Sequence, residues 1–174
     1  EVLKNTVQIE SGAIVTGAGN GIRFSGNAIG ATVHNNIVIV KGDVSVSANN
    51  AIEFSGPEGT ERNSVVVHYG GVVGGIVFGR ASPTKNTNYN LVDNYGVITG
   101  LAVSNPGVYF DTGEGNKVIN RSGGVIGGVV FRSKSSIFEV HVGSTLELAA
   151  FGAGDTRVNL IGPGADTIEL NEFG

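Results

Sequence analysis

A chain of 174 residues is long enough for one domain with a sizeable core, and a hydrophobic content of 40% against 15% charged residues excludes a disordered one. With 29 Gly but only 4 Pro, neither collagen nor a Pro-rich linker fits. A formal net charge of -4, a pI near 5.3 and no Lys/Arg cluster argue against a nucleic-acid partner, and no apolar run is long enough for a membrane-spanning helix.

In chain order, the sequence repeats itself. The stretch "TVQIESGAIVTGAGNGIRFSG" from Thr6 matches "NIVIVKGDVSVSANNAIEFSG" from Asn36 at a shift of 30 residues. That shift pairs Val7 with Ile37, Ile9 with Ile39, Ile14 with Val44, Ile22 with Ile52 and Phe24 with Phe54. Next, "SVVVHYGGVVGGIVF" (Ser64 to Phe78) returns as "NKVINRSGGVIGGVVF" (Asn116 to Phe131), 53 residues along at every matched position. Between them, "NLVDNYGVITGLAVSNPGVYFDTG" (Asn90 to Gly113) is a related unit with longer links.

The five units share one pattern: an alternating apolar strand, one or two glycines, a second short apolar segment, and a triplet ending in Phe24, Phe54, Phe78, Phe110 or Phe131. Insertions fall only before the triplet and after the Phe, the fixed corners where a solenoid tolerates them. Short runs of Val, Ile, Thr, Phe and Tyr bounded by Gly and Asn exclude an α-solenoid. A β-sandwich does not account for repeats that keep the register of three strands. The expected fold is all-β: a single-stranded parallel β-helix (β-solenoid) of about six coils, with three strands per coil. Each Phe, and the Ile or Val two residues before it, should form an interior ladder, with glycines at the corners. One domain spans 1–174, with repeat coils over 1–142 and a C-terminal coil or cap over 143–174.

The segments "VDNYGVITG" and "VINRSGGVIGG" resemble the Asn-x-Gly-x-Ile-x-Gly style of repeat in passenger domains of bacterial autotransporters and related large surface exoproteins. The resemblance runs from about Thr6 to Val142. It implies a right-handed β-helix, export, location at the bacterial outer-membrane surface or in the secreted fraction, and a role as adhesin or rigid scaffold in virulence. The partners implied are a host receptor, a glycan or another copy of the chain. The absence of Cys and Met suits an excised piece of an exported protein. The resemblance carries over no catalytic residue, cofactor or metal.

The loops after the Phe triplets carry the candidate binding residues: Glu58, Glu61 and Arg62; Arg80 and Lys85; Asp111, Glu114 and Lys117; Arg132 and Lys134. In a solenoid they come from one corner and should form a charged ridge. A polysaccharide-active β-helix enzyme, lyase or hydrolase, is the alternative, with Asp111 and Glu114 as its acid pair. Arg23 and Glu53, in the middle of equivalent triplets, should form an outward ion pair. Val77, Tyr109 and Val130 hold that place in later coils, and an outward apolar stripe there suits self-association.

Three other features read as structural. "IGPGADTIE" resembles a calcium-binding nonapeptide repeat, but without stacked copies Gly162 to Asp166 reads as a Gly/Asp turn. His34, His68 and His141 have no metal-site spacing, and "NRS" at Asn120 to Ser122 fits the glycosylation sequon.

Overall fold

The computed structural model describes residues 1–26, 28–47, 50–79, 86–102, 105–152, 155–162 and 170–172, with 101, 102, 105 and 170–172 given by their backbone. No described residue is helical. The chain winds as a parallel β-helix whose successive turns stack into four parallel sheets, A to D in chain order. Sheet B has seven strands, from Thr6–Ile9 to Thr156–Ile161. Sheet C has six, from Ile14–Gly17 to Thr145–Leu146, and sheet D seven, from Ile22–Ser25 to Leu170–Glu172. Seven rungs therefore replace the expected six or so.

Sheet A is the element the sequence hides. Its four strands, Val2–Leu3, Val33–His34, Thr60–Glu61 and Thr87–Asn88, lie in the segments between each Phe and the next long strand. Two residues cannot display a period of two, so nothing in the apolar pattern announces them.

The interior follows the expected ladders. Phe24, Phe54, Phe78, Phe110 and Phe131 stack at centroid spacings of 5.0, 4.8, 4.9 and 5.2 Å, with ring planes within 7° of parallel. Phe151 extends the column at 6.1 Å. Rings in the same triplet position are forced to the strand spacing, and each buries both faces against its neighbours. Ile22, Ile52, Ile76, Val108, Val129 and Ala149 form the second column.

The shift of 53 residues holds in sheets B, C and D: Val65 stacks on Val92 and then Val118, Val72 on Val97 and then Val125, Ile76 on Val108 and then Val129. The shift of 30 holds only in sheet D. In sheet B, Val7 and Ile9 face Val38 and Val40, not Ile37 and Ile39; in sheet C, Val15 faces Val44 while Ile14 faces Asp43. The corner between sheets B and C takes residues 10–13 in the first coil and only 41–42 in the second, so the register slips one way and then back. A one-residue slip exchanges the two faces of a strand. Ile37 and Ile14 accordingly point outward, 41% and 69% exposed, while Val38 and Val40 are fully buried.

The two corners that flank sheet B are built differently. After sheet B come glycines, as expected. Gly70 has φ of 81°, and a Cβ on Gly71 would lie 2.6 Å from the Val40 carbonyl oxygen. Before sheet B, in contrast, the left-handed residue is Lys4, Asn35, Arg62, Tyr89 or Ser135 in five coils, with φ between 50° and 56°, and Gly115 in a sixth.

What holds that first corner is a column of asparagines: Asn5, Asn36, Asn63, Asn90 and Asn116, the last four fully buried. Each Nδ2 donates to the Oδ1 of the next, at 2.8, 2.9, 3.0 and 3.1 Å. Each backbone N–H donates to that same Oδ1. The amides also reach carbonyls of the preceding turn, as in Asn63 to Val33 and Asn90 to Thr60. The buried polar atoms of the corner are thus paired inside the protein.

Candidate functional site

The coils shorten along the axis. Stacked partners in sheet B lie 26 residues apart at Leu91 and Lys117, but only 20 apart at Lys117 and Ile137. The short coils have no room for a corner strand. Sheet A ends at Thr87–Asn88, and only an isolated bridge between Glu114 and Lys134 continues its line.

A depression of about 430 Å³ opens there. Asn86 and Asn88 line it from the loop after Phe78, Thr112, Gly113 and Glu114 from the loop after Phe110, and Arg132 and Lys134 from the loop after Phe131. Three successive loops therefore do converge on one corner. A second depression, of about 480 Å³, is lined by Ser135, Ser136, Ile137, Asp155, Thr156 and Arg157. The two are adjacent, since Lys134 borders one and Ser135 the other.

Glu114 is held in place. Its N–H donates to Asn88 Oδ1 at 3.0 Å, and its carboxylate accepts the Tyr89 hydroxyl at 3.0 Å. That hydrogen bond, together with the carboxylate's charge, keeps the Tyr89 phenol above its ordinary range. Arg62 lies 5.8 Å over the Tyr89 ring and pairs with Glu61 at 2.8 Å. Arg132 sits 5.7 Å over Tyr109.

Of the described cations, Arg23, Lys41, Arg62, Lys117 and Arg121 each meet a carboxylate. Four have no ion pair among the described residues: Lys4 in the first turn, and Arg132, Lys134 and Arg157, which border the depressions.

The other expected site residues scatter. Glu58 sits in a turn whose N–H donates to Ala31. Arg80 and Lys85 lie outside the described residues. Asp111 is only 8% exposed, accepts the Tyr109 hydroxyl at 3.4 Å, and does not border the depression. Lys117 faces out from sheet B and pairs with Glu139 at 2.8 Å.

Arg23 and Glu53 form the expected pair at 3.2 Å. The apolar stripe is not an exposed surface: Val77 and Val130 point outward by register yet are 1% exposed, and Tyr109 between them is half-buried.

Asn86, Asn88, Thr112 and Arg157 escaped the sequence reading. Lone amides and hydroxyls carry no period, and Arg157 lies in the tail beyond the clear repeats. Asn120 of the sequon is buried and accepts from Asn94 at 2.9 Å, which closes it to modification. No trio of His, Cys, Asp or Glu among the described residues is placed to hold a metal. The Gly/Asp turn lies outside them beyond Gly162. Among the described residues no helix is long and apolar enough to cross a membrane.

On the glycine-built corner, Tyr69 and Tyr95 meet edge to face at 5.4 Å, and Arg121 lies 5.6 Å over Tyr95. Arg121 is bound by both oxygens of Asp93, at 2.8 and 3.2 Å, which raises its pKa further. That cluster is satisfied within itself.

No family model, curated protein or solved structure matches this chain. The functional reading therefore rests on the fold and on this corner.

Proposed function

We propose that the chain is a scaffold and adhesion module of a bacterial surface or secreted passenger protein, and that the corner opened between Asn88 and Lys134 binds a glycan. The observation that carries this reading is the convergence of three successive loops on one depression lined, among the described residues, by amides, a hydroxyl, one carboxylate and two cations without ion pairs. Such side chains hydrogen-bond sugar hydroxyls, and a β-sheet scaffold holds them in place before the ligand arrives. The repeat style supports the cellular setting.

Binding without cleavage is favoured over the enzyme. Glycoside hydrolysis needs two carboxyl groups facing one cleft. Here Glu114 borders the depression while Asp111 is buried outside it, and among the described residues the adjoining depression likewise holds a single carboxylate, Asp155. A glycan array paired with a product assay on every bound glycan tests this. Retention with no release of shorter chains or unsaturated ends is expected. Turnover of any bound glycan would move the protein to the lyase or hydrolase class.

A further inference from the structure

The position of the unpaired cations narrows the ligand. We infer that the corner takes an acidic polysaccharide, one carrying carboxylate or sulfate groups, laid along the solenoid axis. The inference rests on the glycan-binding reading and adds its charge and direction.

The chain as a whole is acidic, with a formal net charge of -4. Five of its cations are nevertheless neutralised by partners, while three of the four described cations without an ion pair among the described residues, Arg132, Lys134 and Arg157, cluster at the two adjoining depressions, the fourth being Lys4 in the first turn. Glu114 and Asp155 are the only carboxylates bordering them among the described residues, and Glu114 already accepts a hydrogen bond from Tyr89. The local balance is therefore positive on a negative molecule, which focuses an anion on this strip.

The strip runs along the axis. The row from Asn88 through Glu114 to Lys134 and on to the second depression covers about three strand spacings, roughly 14 Å, longer than a single sugar ring. Amide and hydroxyl groups of Asn86, Asn88 and Ser135 border the same strip and can meet sugar hydroxyls. An acidic peptide fits less well. Sheet A offers only two-residue strands, too short for strand addition, and the lining contains no apolar pocket for alternate side chains.

The test is binding of the intact chain to polygalacturonate, dextran sulfate, neutral dextran, polyglutamate and a single-stranded oligonucleotide. Polygalacturonate or dextran sulfate should bind and neutral dextran should not; which of the two binds tells carboxylate from sulfate recognition. Binding should weaken as salt rises, because the contacts are exposed. Arg132→Gln, Lys134→Gln and Arg157→Gln should each lower affinity about fivefold. Lys41→Gln, which removes the cation paired with Glu10 on the corner after sheet B, should leave it unchanged.

Equal binding of neutral dextran, lost with Asn88→Ala but not with Arg132→Gln, would overturn the acidic ligand and leave the glycan reading standing. Binding only to polyglutamate or the oligonucleotide would overturn both.

Discussion

The corners on either side of sheet B do the same job by opposite means. After sheet B the backbone turns on glycines such as Gly70 and Gly71, which have no side chain to show. Before sheet B it turns on a left-handed residue that is Lys, Asn, Arg, Tyr or Gly in five coils, where the Asn behind it supplies the hydrogen bonds, and Ser135 in a sixth, where Ser136 stands in that place. Moving the structural requirement one residue inward frees the outer position. The first corner can therefore change its surface from coil to coil, and the two depressions with their unpaired cations lie along it. A left-handed conformation costs about 1–2 kcal/mol for a residue with a Cβ, a strain the buried amides offset.

That division can be broken at several points. Phe78→Ala removes a fully buried rung on which both corners depend, and should cost about 4 kcal/mol in denaturant unfolding. A cost near zero would deny the interior column. Asn63→Ala should cost about 3 kcal/mol, since it strands the buried Asn36 N–H, removes the amide that donates to the Val33 carbonyl, and takes one partner each from Asn36 Nδ2 and Asn90 Oδ1. A change under about 1 kcal/mol would show that the amide column is not what holds the first corner. Gly71→Ala forces a Cβ against backbone oxygens of two turns and should cost about 2 kcal/mol. The outward pair matters least: Arg23→Gln should cost under about 1 kcal/mol, because the arginine is half exposed.

The same contrast marks what was legible in the sequence. Phe24 to Phe131 and the strands of sheets B, C and D could be read because short Val, Ile and Phe runs recur at matched places from unit to unit. The register of the first two coils could not be read from that signal alone. Ile14 and Ile37 are apolar yet face outward, and corner length decides which neighbour points in. The asparagine column was in plain sight, one Asn directly before each of the first five long strands, but a hydrophobic pattern has no place for a buried amide. The charged ridge was legible as a set of loops. The depression was not, because it arises from coil shortening that removes a strand of two residues.

The most direct test of the account is a matched set of serine substitutions followed by urea unfolding: Arg62→Ser and Tyr89→Ser on the first corner, Gly70→Ser and Gly123→Ser on the second. Serine already occupies the first position at Ser135, with φ of 50°, and Arg62 and Tyr89 already carry the left-handed strain. Those two variants should stay within about 0.5 kcal/mol of the parent. The glycine variants, entering backbone at φ of 81° and 80°, should each lose about 1–2 kcal/mol. Equal losses at all four positions, or larger losses at Arg62 and Tyr89, would contradict the claim that only the first corner is free to vary.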